Sequence, residues 1–231
     1  MGCCQYGVPL PTEASREERA ITAEENALGY GSWPTKQVID EVLRLSEDGR
    51  FSVSDFNTLA EKFNLRKNDI DSIDSKMYQF YKQIKDKAFF NVERLCLLVV
   101  LLSHGTPNEK ARQLFRVASM RKPGEEASLA ILNEGRLDEL LELIYNISCE
   151  WLPCLCRAET ISEPGTLQQD KVENIIQSYR ANKTAALAAY KSGILEGRLG
   201  ASQTDFEIAL TSPKCRGLTS PFEFRRVVLS H

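Results

Sequence analysis

The sequence predicts an all-α protein, and three observations carry that expectation. Apolar residues recur at helical spacing from Thr35 onward. No segment alternates for long or offers a Val/Ile-rich run closed by hairpin turns. Helix-start signals stand where the periodic segments begin.

Taken in order, residues 5–34, with Pro9, Pro11, Gly29, Gly31 and Pro34, read as an extended tail interrupted by one short polar helix over 15–28. Val38, Ile39, Val42, Leu43 and Leu45 line a first core helix, and Phe56, Leu59, Ala60 and Phe63 a second. Met77, Phe80, Tyr81 and Ile84 define a third at i, i+3, i+4 and i+7. Residues 92–102 are apolar almost all round, so the fourth is expected to be deeply buried. Thr106-Pro107-Asn108-Glu109 is a capping box with proline at the first helical position and starts a fifth. A sixth spans 137–147, and a seventh spans 171–191 with an interruption expected at Asn182-Lys183. An eighth spans 206–210, and Ser220-Pro221-Phe222-Glu223 caps a last short one.

Composition narrows the function classes. Lys plus Arg number 29 against 32 Asp plus Glu, a net charge of -3, which offers no basic surface for nucleic acid. The longest apolar run, 95–102, is far short of the roughly 20 residues of a membrane span. No secretory core follows Met1, and seven cysteines in such a chain suit reduced cytosolic thiols. With two histidines, one of them His231, no nucleophile, base and orienter can be assembled, so an enzyme is not expected.

Met1-Gly2-Cys3-Cys4 reads as a lipidation signal: a myristoyl chain on Gly2 and palmitoyl chains on Cys3 and Cys4. One myristoyl chain binds membranes only marginally, so adjacent thiols would supply the second anchor. Tyr6 departs from the Ser or Thr that the myristoylation pattern prefers.

The loops carry the remaining chemistry. Between the first two core helices, Asp48-Gly49-Arg50-Phe51-Ser52-Val53-Ser54-Asp55 matches the second half of a calcium-binding loop: a glycine turn, an apolar bridge residue at Phe51 and a last acid at Asp55. Ser46, Asp48, Ser52 and Asp55 are its residual metal candidates, while Arg44 stands at the first ligand position, where a cation repels the ion. In the next helix pair Phe90 is the bridge, and Gln83, Lys85, Lys87 and Arg94 hold the ligand positions, so calcium is not expected there. Two shorter matches, Glu134-Gly135-Arg136-Leu137 and Glu196-Gly197-Arg198-Leu199, place further bridges at Leu137 and Leu199, without preceding acids.

These loops, their flanking helices and the stretch from Leu101 to Phe115 resemble the EF-hand superfamily, in the four-hand layout of recoverin, frequenin and calcineurin-B-like proteins. The resemblance implies two lobes, over 35–105 and 106–231, behind a lipidation tail over 1–34. It also implies an apolar groove for a partner's amphipathic helix. Calcium sensing does not carry over with the fold, because the ligands are replaced. No cofactor is expected beyond weak calcium or magnesium at the first loop.

Other clusters read as structural. Cys149, Cys154, Cys156 and Cys215 lack the pair spacing of a zinc site. Asn68, Asp69, Asp71 and Asp74 suit a solvated helix start before Met77. His104 is expected in a surface linker, and Trp33 and Trp151 in the core. The leading expectation is a non-catalytic, calcium-independent adaptor on the cytoplasmic face of a membrane. The alternatives are a calcium or magnesium sensor using the first loop, and a structural subunit of a ciliary or cytoskeletal assembly. Phe222, Phe224, Val227, Val228 and Leu229 are apolar enough to fill the groove from within the chain.

Overall fold

Four apolar residues, each followed at once by Ser or Asn, organise the chain: Phe51-Ser52, Phe90-Asn91, Leu132-Asn133 and Ala201-Ser202. In each pair the first residue sits in a short strand with its side chain in the core, and the second is the N-cap of the next helix. The computed structural model describes residues 14–46, 50–67, 70–120, 131–157 and 167–231.

The described part is mostly helical, with a few short strands. Helix α1 (Arg16–Ala27) precedes α2 (Thr35–Leu45), strand β1 (Arg50–Phe51) and α3 (Val53–Phe63). Then come α4 (Lys76–Ile84), β2 (Lys85–Asp86), β3 (Phe89–Asn91) and α5 (Val92–Leu102). The second half holds α6 (Pro107–Ala118), β4 (Ile131–Asn133) and α7 (Glu134–Tyr145). A π-helical turn (Asn146–Trp151) leads into α8 (Leu152–Cys154) and α9 (Gln169–Leu195). Strand β5 (Gly200–Ser202), α10 (Gln203–Thr211), a 3-10 turn (Arg216–Thr219) and α11 (Pro221–Leu229) complete the order.

Two antiparallel ladders tie these helix–loop–helix units into pairs. Phe51 lies opposite Phe90, and Leu132 opposite Ala201. The first ladder matches the bridge residues read from the sequence. The second corrects two of them. Leu137 belongs to α7, whose first turn contains Gly135 and Arg136, and Leu199 is 86% exposed. The reason is local: Asn133 accepts from the Arg136 N–H at 2.9 Å and starts the helix there, so Gly135 never forms a loop turn.

Several other expectations need correction. Strands β2 and β3 form a hairpin turned by Lys87 and Ala88, with Lys87 at φ +59°, where the sequence suggested no hairpin. Helix α9 runs unbroken through Asn182 and Lys183, because Lys183 pairs with Glu142 and sits 4.6 Å over the Tyr145 ring. The segment over 14–34 is packed rather than an extended tail. Ser15 caps α1, Ile21, Leu28 and Tyr30 are buried, and the Trp33 indole donates to Phe63 O at 2.6 Å. Gly29 permits this entry at φ +88°, where a Cβ would meet Asn64 O at 2.9 Å.

One apolar cluster extends from Leu28 to Val228 and draws on both helix pairs. Helices α5 and α6 pack on each other across the short turn between them, and α2 packs on both. His104 in that turn is exposed, and its carbonyl accepts from the Thr35 N–H at 2.8 Å and the Thr35 hydroxyl at 2.9 Å. Helix α11 lies against α9 and the π-helical turn, with Phe224 and Val228 fully buried. Phe222, Phe224 and Val228 of the C-terminal segment are therefore packed into the second half from within, while Val227 is only partly buried and Leu229, on the outer face of α11, is exposed.

Candidate functional site

The loop ends of the four units are the candidate site, and their geometry repeats. Each N-cap is followed three residues later by Asp55, Arg94, Arg136 or Asp205, and the next residue, Phe56, Leu95, Leu137 or Phe206, is fully buried. This third helical position lies four residues after the ladder residue, where a calcium-binding loop carries its bidentate acid. Each pair of units holds one Asp and one Arg there.

Both aspartates are engaged in helix caps. Asp55 Oδ2 accepts from the Ser52 backbone N–H at 2.7 Å and from its hydroxyl at 2.6 Å. Asp205 Oδ2 accepts from the Ser202 N–H at 3.2 Å and hydroxyl at 2.6 Å, while its Oδ1 pairs with Arg198. These are capping boxes, which satisfy donors that a helix start leaves open.

In three of the four units an arginine reaches the C-terminal end of the incoming helix. Arg94 Nη1 donates to Gln83 O in the last turn of α4 at 3.2 Å, and Arg136 Nε donates to Ala118 O, the last residue of α6, at 2.7 Å. Arg198 Nε donates to Leu195 O, the last residue of α9, at 3.0 Å. A guanidinium at a helix C-terminus meets open carbonyls and the negative end of the helix dipole. Arg136 is the most buried of the three and also pairs with Glu93 at 2.7 Å and Glu139 at 2.6 Å.

The residual metal candidates of the first loop are distributed as follows. Asp48, with Gly49, lies outside the described residues. Ser46 Oγ donates to Leu43 O at 2.9 Å, and Ser52 and Asp55 bind each other. Arg44 turns back to Glu41, whose carboxyl Arg44 and then Lys62 hold down at about 2. In the second unit Lys85 stacks 4.8 Å over Phe90. A calcium site needs six to eight oxygens, and the described residues of these loops do not fit one. Among the described residues no group of three or more His, Cys, Asp or Glu side chains is placed to hold a metal.

Gly2, Cys3 and Cys4 lie outside the described residues, as do Asn68 and Asp69. Asp71 and Asp74 are exposed, and Ser75 caps α4. Cys96, Cys149, Cys156 and Cys215 are buried and Cys154 partly so, all free thiols. Burial pushes the Cys96 and Cys156 thiols up to about 12. No helix among the described residues is long and apolar enough to cross a membrane.

The sequence reading missed Arg225, which is fully buried on α11. It pairs with Glu18 at 2.9 Å and Glu25 at 2.6 Å on α1, and donates to Ser148 O in the π-helical turn at 3.0 Å. Tyr179 donates to the same Glu18 at 2.7 Å. Burial pushes the Glu25 carboxyl up while Arg225 pulls it down. The signal was an arginine on the apolar face of the last helix, between Pro221 and Val228.

No family model matches this chain, and no curated protein or solved structure matches it either.

Proposed function

We propose that this protein is a non-catalytic interaction protein of EF-hand type, built from two lobes and independent of calcium. The observation that carries the reading is the repeat of apolar residue, Ser or Asn N-cap, and Asp or Arg three residues on. Those Asp and Arg side chains bind helix ends rather than stand open to a cation. A hand held by its own arginines keeps one conformation, and the opening that an ion drives in sensor hands has nothing to drive it. Acyl groups on Gly2, Cys3 and Cys4 would place the platform on the cytoplasmic face of a membrane. Its partner would be a protein, met on exposed apolar residues such as Ile131 and Leu199, which flank Gly200.

Two measurements test this reading. Calorimetric titration of calcium and magnesium into the full chain is expected to give no saturable heat. A micromolar site lost on Asp48→Asn or Asp55→Asn would install the sensor reading in its place. Fractionation of cells expressing the native chain is expected to leave it with membranes, and a Gly2→Ala, Cys3→Ser, Cys4→Ser variant in the soluble fraction. Both chains in the soluble fraction would remove the membrane part. Both in a detergent-resistant cytoskeletal pellet would favour the structural-subunit reading.

A further inference from the structure

Between α1, the turn joining α5 to α6, and the start of α11 lies a cavity of about 170 Å3. Leu101, Leu102, Pro221 and Phe222 give it apolar walls, and Thr22, Glu25 and Lys110 bring polar groups to it.

The polar groups are incompletely matched. Lys110 is buried, and its Nζ donates to Leu101 O at 3.0 Å and Thr219 O at 3.1 Å. An ammonium has three N–H donors, so one remains, and no carboxylate lies within 4 Å of it among the described residues. Burial draws the amine down to about 8, the direction expected of a cation short of a counter-charge. Glu25 attracts the ammonium only from beyond ion-pair distance, and its carboxylate is held by Arg225 at 2.6 Å. Thr22 is 3% exposed, and its Oγ1 has no hydrogen-bond partner. A buried hydroxyl without a partner is costly, as is a buried charge without a counter-ion.

The shape and the unmatched donors select a ligand class. A carboxylate offers two oxygens to two donors and neutralises the cation. A second negative charge would face Glu25 or the apolar walls, which disfavours dicarboxylates and phosphates. An amine would be repelled by Lys110. For scale, an apolar cavity of about 150 Å3 takes up a benzene molecule. We infer that this cavity binds a small monocarboxylate with an apolar body of about six carbons, its oxygens accepting from Lys110 Nζ and Thr22 Oγ1. The ligand would touch both α1 and α11 and so fasten the two ends of the described chain to each other. This inference is independent of the adaptor reading and does not depend on its outcome.

Benzoate is the probe, with benzamide as the neutral compound of the same shape. Both are titrated into the full-length protein at constant ionic strength and followed by amide NMR shifts. Benzoate is expected to give saturable shifts at residues around the cavity and to bind at least about tenfold more tightly than benzamide. Thr22→Val, which keeps the side-chain shape, should weaken benzoate about two- to tenfold, the worth of one hydrogen bond. Lys110→Met should remove its advantage over benzamide altogether. Equal binding of benzoate and benzamide, shifts confined to other surfaces, or no saturable shift would overturn the assignment. Should Lys110→Met fail to fold, Thr22→Val and the benzamide comparison decide alone, since unchanged benzoate affinity in Thr22→Val also overturns it.

Discussion

The two ladders hold equivalent places in the two helix pairs, yet they are built from opposite materials. In the first, Phe90 stacks on Phe56 with ring centroids 4.8 Å apart and meets Phe51 and Tyr81 edge-on at 6.1 and 6.0 Å. In the second, Ala201 faces Leu132, and Gly200 lies so close to β4 that a Cβ would come within 2.7 Å of Ile131 and 2.9 Å of Leu132 O. The first ladder is held by side-chain area, the second by close approach of backbones. The second compensates with charge: Arg136 is buried with three partners, whereas Arg94, the arginine at the third helical position in the other unit of the first pair, is about one-third exposed. A repeated backbone geometry thus tolerates different chemistry as long as the apolar residue and the N-cap recur.

The largest effect should come from the ladder residues themselves. Phe90→Ala removes the centre of the aromatic group and should cost about 3–5 kcal/mol in urea unfolding. Ala201→Gly, at the equivalent place, should cost only about 1 kcal/mol. Equal losses would mean that side-chain area does not distinguish the ladders.

The arginines sharpen the contrast at a smaller scale. Arg136→Met leaves Glu93 partly buried without its partner and Ala118 O without its donor, so a loss of about 2–3 kcal/mol is expected. Arg94→Met should lose less than about 1 kcal/mol, because solvent reaches its partners. A reversal of that order, measured by the same unfolding midpoints, would break the claim that the second pair relies on buried charge.

The smallest effect is a gain. Lys87 holds φ +59° in the β2–β3 turn, a conformation that costs an L side chain about 1 kcal/mol and glycine almost nothing. Lys87→Gly should therefore raise stability by about 0.5–1 kcal/mol. A loss would show that the lysine side chain stabilises the hairpin beyond its backbone strain.

The first pair was the more legible because its ladder residues are aromatic and stand next to strong sequence signals, Asp48-Gly49 ahead of Phe51 and the apolar helix pattern around Leu95 after Phe90. In the second pair the eye is drawn to Gly135 and Gly197, which belong respectively to the first turn of α7 and to the bend after α9. The dependable signal was shorter: Phe51-Ser52-Val53-Ser54-Asp55-Phe56 and its three counterparts beginning at Phe90, Leu132 and Ala201. Each states an apolar residue, a cap, and a polar or charged residue before the next buried one.

By itself the sequence determined most of the helices, because periodicity and capping are local: the caps at Ser15, Thr106 and Ser220 stand where the residues place them, whereas α7 and α10 begin three residues before the expected 137 and 206. It also placed cations, Arg44, Lys85, Lys87 and Arg94, in and beside the loops. Only the tertiary structure decided what those cations do, since a guanidinium's partner is set by which carbonyl lies within reach across the fold. The same holds for Arg225, whose partners at Glu18 and Glu25 lie about two hundred residues away along the chain. No local pattern encodes such a pairing, and it arises when the burial of α11 leaves the guanidinium to be neutralised from α1.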